Sequence, residues 1–261
     1  MSSDSLGLAP SPDTDTARDA AHDTAPGAAA YEVLARKYRP QRFEDLIGHE
    51  AMVRTLRNAF ASNRIAHAYV LTGVRGVGKT TTARIMARGL NYALTGADDE
   101  GPTVDMPKDG LHCAAIADGR HPDVLEMDAA SRTGVGDIRE LIEGVRYAPT
   151  QARFKVYIID EVHMLSTAAF NALLKTLEEP PPHVKFIFAT TELRKLPVTV
   201  LSRCQRFDLR RISPDVLQSH LAAIAEKEGA AVEPDGLAMI VRAAEGSVRD
   251  GLSILDQAIV Q

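Results

Sequence analysis

The segment Gly73-Val74-Arg75-Gly76-Val77-Gly78-Lys79-Thr80 constrains this chain more than any other, because it keeps the spacing G-x-x-x-x-G-K-[ST]. That spacing works only between a strand and a helix. Ala68-Tyr69-Val70-Leu71 before it reads as a short buried strand, and Ala83, Met86, Ala87 and Leu90 after it recur at i, i+3, i+4 and i+7, one face of a helix. In that setting the glycines let successive backbone N–H groups turn inward around phosphate oxygens, and the helix N-terminus adds partial positive charge. Lys79 can neutralise the outer phosphates, Thr80 can offer its hydroxyl to Mg²⁺, and Thr81 follows directly. The segment therefore predicts capture of a nucleoside triphosphate.

Around this loop the pattern alternates strand and helix, as a parallel sheet covered on both faces requires. Strands are expected at 68–72, 124–128, 155–160, 184–190 and 206–209, with helices near 50–60, 79–90, 137–145 and 167–178. Ser166 opens the last of these and Pro180-Pro181-Pro182 stops it. From residue 212 the strands cease. Ser213 and Pro214 start a helix that Gly229 ends, a second spans 234–245, and a third follows Ser247 with Val248, Leu252, Leu255 and Ile259 on one face. The expected architecture is an α/β nucleotide-binding core at 31–211 with a five-stranded parallel sheet, followed by a small three-helix lid at 212–261. The final helix is still periodic where the sequence stops, which reads as part of a longer chain.

Composition sets the outer bounds. The 261 residues are 45% hydrophobic, enough for a full core, and no apolar run approaches the roughly 18 residues that span a bilayer. There is no signal-peptide layout, and Cys113 and Cys204 are too few for a disulfide framework, so the cytoplasm is the expected compartment. Residues 1–30 are almost entirely Ser, Asp, Ala, Thr, Pro and Gly, and are expected to be disordered. Five Asp and one Arg give that tail a charge of −4, leaving −1 of the formal −5 for the rest. Net charge therefore gives no argument for nucleic-acid binding.

Lys155-Val156-Tyr157-Ile158-Ile159-Asp160-Glu161 is a buried strand with two carboxylates at its C-terminal end, the edge where open α/β sheets bind ligands. Beside a phosphate loop, Asp160 suits Mg²⁺ and Glu161, pointing the other way, suits polarising a water for attack on phosphorus. Phe186-Ile187-Phe188-Ala189-Thr190-Thr191 is a second apolar strand ending in hydroxyls that could bond that water or the terminal phosphate. Arg203 and Arg249 lie outside the core elements, and taken alone they would not be singled out.

Seven segments in order extend the reading: Ala35–Phe43, the loop 73–80, Met127–Gly134, Ile159–Leu165, Asn171–Lys175, Leu201–Cys204 and Gly246–Asp250. Together they closely resemble the tau/gamma clamp-loader subunits of bacterial DNA polymerase III, which are AAA+ ATPases. The likeness runs from about residue 31 to 261. It implies that Tyr38, Arg39 and Pro40 lie near the adenine, that Thr191 is the first sensor, and that Arg249, on the lid, is a second sensor reading the γ-phosphate. It also implies that Arg203 is an arginine finger reaching the ATP site of a neighbouring subunit. Implied partners are the other clamp-loader subunits, the sliding clamp and primed DNA, with no membrane. The family's further collar domain has no counterpart here, which leaves a monomer open. Relatives commonly carry four zinc-ligating cysteines after the first core helix. Here only Cys113 remains, with His112 and His121 near it, so no zinc is expected and the insert Thr95–Gly110 is expected as a surface loop. Two rival readings stay open: another AAA+ DNA-processing motor such as a branch-migration helicase, and a nucleotide-binding scaffold without turnover.

Overall fold

Side chains alternate across each strand, and that alternation builds two apolar layers around one sheet. A computed structural model describes residues 31–96, 100–132 and 135–260; the tail 1–30, expected to be disordered, lies outside these, as do Thr133 and Gly134. The strands are β1 (Ala68–Thr72), β2 (Val124–Asp128), β3 (Lys155–Asp160), β4 (Val184–Thr190) and β5 (Gln205–Asp208). They pair in parallel in the order β2-β3-β4-β1-β5. Leu209, expected as the last residue of β5, falls just beyond it but still donates its N–H to Thr72 O at 2.7 Å.

The helices before the loop are α1 (Leu34–Lys37) and α2 (Glu50–Ala61), and α3 (Lys79–Leu90) follows it. Next come α4 (Cys113–Ala117), α5 (Val135–Val145), α6 (Thr167–Glu178) and α7 (Val198–Leu201). The last three are α8 (Pro214–Lys227), α9 (Pro234–Ala244) and α10 (Val248–Val260). Tyr69, Leu71, Val156, Ile158 and Ile187 face one side of the sheet, where α2, α3 and α4 cover them with Leu56, Met86, Leu90 and Ile116. Val70, Tyr157, Ile159, Phe186 and Phe188 face the other, against Ile138 of α5 and Phe170 and Leu173 of α6. A sheet buried on both faces needs strands that are apolar at nearly every position, and β1 and β4 are buried throughout, Lys185 included.

Leu217, Leu221, Leu237, Ile240, Leu252 and Leu255 of α8, α9 and α10 close a separate apolar cluster, and Leu34 of α1 is buried among them. The sequence reading assigned no helix to α1, since four residues show no period.

The insert from Thr95 to Gly110 departs from the expected surface loop. Its described residues form no helix or strand, yet Val104 and Met106 are buried in the main core cluster. Thr103 donates its N–H to Gly89 O at 3.0 Å, Asp105 pairs with Arg57 at 2.8 Å, and the Tyr92 hydroxyl donates to Lys108 O at 3.0 Å. The physical reason is that two apolar side chains, two residues apart, gain more from burial in the core cluster than the Gly, Asp and Pro around them gain from solvent.

Candidate functional site

Because every strand runs the same way, the chain segments that leave β1, β3 and β4 all emerge at one edge of the sheet. The phosphate loop leaves β1 there, Asp160 ends β3, and Thr190 ends β4. A cleft of about 570 Å³ opens above that edge, between the loop and the helical cluster. It is lined by Tyr38, Arg39 and Pro40, by Arg75 through Thr81, by Asp160 and Glu161, and from the helical side by His220, Val248, Arg249 and Leu252. Of the residues named from sequence, Gly73, Val74, Thr191 and Arg203 lie outside this lining.

Gly78 caps α3 in the left-handed region with φ 94°, and the space where a Cβ would point is empty. The backbone is thus shaped as a cup, with an opening over the helix N-terminus. Lys79 is 6% exposed, and its Nζ donates to Gly73 O and Val74 O, both at 3.0 Å. Burial lowers the ammonium's pKa below the usual lysine value, while Glu161 and Asp160 act to raise it. The Thr80 hydroxyl donates to Asp160 Oδ2 at 2.5 Å, so a hydroxyl and a carboxylate, hard oxygen donors of the kind Mg²⁺ takes, face each other at the cup's rim. These residues fit a magnesium nucleotide.

Glu161 is one of three non-glycine residues with positive φ among those described, at 45°. Its N–H donates to Asp160 Oδ1 at 2.9 Å, and the sharp turn aims its carboxylate away from Asp160, towards β4. There Glu161 Oε2 accepts from the Thr191 hydroxyl at 3.0 Å and from the Thr191 N–H at 3.4 Å. His163, unassigned from sequence, stands beside the same oxygen with Nδ1 at 3.3 Å. Thr191 therefore meets the cleft through Glu161.

On the cleft's other flank, Arg39 Nε donates to Thr81 Oγ1 at 2.9 Å; burial lowers the pKa of its guanidinium, and the nearby Arg84 adds to this. The Tyr38 hydroxyl donates to Glu228 at the C-terminal end of α8, and Lys37 Nζ pairs with the same carboxylate at 2.7 Å. Donation from Lys37 and then from Tyr38 holds the Glu228 carboxyl below the usual range. The helical cluster is also anchored on the loop. Ser247, 5% exposed, packs on Gly76, and the Arg249 N–H approaches Gly76 O at 3.5 Å. Arg249 itself is exposed at the cleft wall. Arg203 is on the outer surface, held by Glu178 at 2.8 Å and by Thr199 O at 2.6 Å.

Around Cys113 the arrangement is different. Cys113 is 2% exposed within the core cluster, and His121 Nε2 and His112 Nδ1 bond each other at 2.9 Å. Asp123, whose charge acts on both imidazoles, is taken up by the N–H groups of Thr150, Gln151 and Ala152 at 2.7 to 2.9 Å. Among the described residues no group of three or more His, Cys, Asp or Glu is placed to hold a metal ion, and this donor set does not fit a tetrahedral zinc. No helix of the described residues is long and apolar enough to cross a membrane.

Comparison with known proteins adds the lineage. The family model described as DNA polymerase III, delta subunit, matches residues 48–213, and that described as DNA polymerase III clamp loader subunit, ATPase lid domain, matches 216–261. DNA polymerase III subunit tau of Escherichia coli is 52% identical over 230 residues, covering 88% of this chain and 35% of that protein. Subunit tau of Bacillus subtilis is 48% identical over 231 residues, with coverage of 88% and 40%. Subunit gamma of Buchnera aphidicola, subspecies Acyrthosiphon pisum, is 46% identical over 229 residues, with coverage of 88% and 62%. The chain thus spans between a third and two thirds of the length of these relatives. The solved structure of the Thermotoga maritima RuvB Holliday junction branch migration motor superposes with a TM-score of 0.59 at 19% identity, covering 84% of this chain and 64% of that one. At that identity the likeness shows the fold alone.

Proposed function

This chain belongs to the tau/gamma clamp-loader subunits of bacterial DNA polymerase III, and from that premise we propose that it is an ATPase motor of the replicative clamp loader. Binding and hydrolysis of ATP would place the sliding clamp on primed DNA. The observation that supports this most directly is the convergence of Lys79, Thr80, Asp160 and Glu161 in one cleft whose far wall is Val248, Arg249 and Leu252. In this reading residues 31–211 are the nucleotide-binding core and 212–261 the lid. The core grips the triphosphate through the amides of 73–80 and the Lys79 ammonium. Thr80 and Asp160 would hold Mg²⁺, which when bound neutralises developing phosphate charge. Glu161 orients the attacking water and takes its proton, and Thr191 fixes that carboxylate from the tip of β4. Tyr38, Arg39 and Pro40 receive the base. Arg249 carries the presence of the γ-phosphate to the lid, so that ATP and ADP favour different angles between lid and core.

Arg203 is surface-placed, well suited to act on a neighbour's nucleotide and unable to act on its own from where it stands. A guanidinium added in this way is worth roughly 10³–10⁵ in rate. The test is ATP turnover by the chain alone, then with partner subunits, clamp and primed DNA. Turnover should rise steeply on reconstitution, and Arg203→Ala should bind ATP normally yet lose that rise. Stimulation by junction DNA in place of clamp and primed DNA would shift the reading to a branch-migration motor. ATP binding with no turnover in any setting would leave a nucleotide-sensing scaffold.

A further inference from the structure

We infer that His163 is the positioning residue for Glu161, a role that rests on the proposed hydrolysis. Glu161 could serve as the base only if its carboxylate is fixed, because a side chain on a left-handed turn at the end of a strand is otherwise free to swing. The fixing is one-sided. Oε2 accepts two bonds from Thr191 and faces His163 Nδ1, so the other oxygen, Oε1, is the one left to meet a water in the cleft. His163 is held as firmly as it holds. Its side chain is 6% exposed, and Nδ1 lies 2.9 Å from Thr190 Oγ1, whose oxygen also accepts the Glu192 N–H at 3.0 Å. Nε2 faces Glu192 Oε1 at 3.5 Å, and Lys195 Nζ donates to that same oxygen at 2.8 Å.

Thr190 is fully buried at the end of β4, next to the strand that carries Asp160 and Glu161. The imidazole therefore links the carboxylate to a fully buried residue at the sheet edge. Nδ1 stands within reach of both Glu161 Oε2, at 3.3 Å, and the Thr190 hydroxyl, at 2.9 Å. His163 does not line the cleft, so it acts on the water only through Glu161.

Position matters in this scheme, and so does the atom that supplies it. Asn at 163 can place an amide where Nδ1 stands, whereas Gln reaches the place of Nε2. The experiment compares His163→Ala, His163→Asn and His163→Gln in the full chain, using calorimetry with magnesium ATP, steady-state turnover with partner subunits, clamp and primed DNA, and a urea midpoint for each. The expected result is ATP affinity within about twofold of wild type throughout, with kcat down about tenfold or more in Ala and Gln and largely restored in Asn. Wild-type turnover in His163→Ala would overturn the inference. So would equal failure of ATP affinity and turnover in all three variants, which would mark a merely structural histidine. A wild-type chain that binds ATP but never hydrolyses it would remove the proposed ATPase together with this inference, whereas an active wild type with an unaffected Ala variant removes this inference alone.

Discussion

Gly76 shows how one residue can serve two demands at once. Its φ of 82° belongs to the left-handed region, and a Cβ built there would stand 2.0 Å from Ser247 Oγ. The phosphate-loop spacing fixes glycine only at 73 and 78, so the first demand is not legible in it; the second exists only because the chain 171 positions later returns to pack on the loop. Gly76→Ala should cost about 1 kcal/mol from the backbone alone and more from the overlap, and it should weaken ATP binding by lifting α10. Ser247→Ala in the same chain removes the hydroxyl and should recover part of both losses, as a double-mutant cycle in urea would show. Strictly additive losses would mean that the lid does not rest on Gly76. Histidine at 163 carries the same lesson. It sits inside the quoted motif Ile159–Leu165, two residues past Glu161, but nothing in its spacing reveals that Thr190, twenty-seven positions on, is its partner.

Helices α6 and α8 begin alike in sequence, each with a serine in extended conformation at its N-cap. Their caps differ in the folded chain. Ser166 Oγ accepts the Ala169 N–H at 3.2 Å, whereas Ser213 makes no side-chain cap bond, its place supported by Pro214 at the first turn. Ser166→Ala should therefore cost about 1 kcal/mol and Ser213→Ala much less, measured by chemical denaturation; equal costs would contradict the geometry. The same contrast separates elements that were legible from those that were not. Strands β1, β3 and β4 fall where their apolar runs predict, because a parallel strand covered on both faces is apolar at nearly every position, whereas β2, at the sheet edge, is largely exposed. Helices α1 and α4, at four and five residues, are too short to carry a period, and they form because Leu34 and Ile116 are captured by clusters assembled from distant parts of the chain.

Across the whole molecule, the cleft is the meeting of two apolar clusters that share no buried residue, joined at the loop by Ser247 on Gly76. A ligand touching both walls should stabilise core and lid together. Magnesium ATP at about a hundredfold over its Kd should add about 2.7 kcal/mol to unfolding and raise Tm, and Lys79→Ala should abolish the rise. A rise that survives Lys79→Ala would place the nucleotide elsewhere. The chain's own order of residues determined the phosphate loop, the carboxylates ending β3, the parallel α/β class and the three lid helices, since each rests on local spacing or on periodic burial that a segment carries within itself. Only the tertiary structure decided that α1 lodges in the lid cluster, that Val104 and Met106 anchor the insert in the main core, that Glu161 is held by Thr191 and His163, and that Arg203 faces outward. Those outcomes depend on which distant side chains arrive at the same place, and packing settles that after every local preference has been spent.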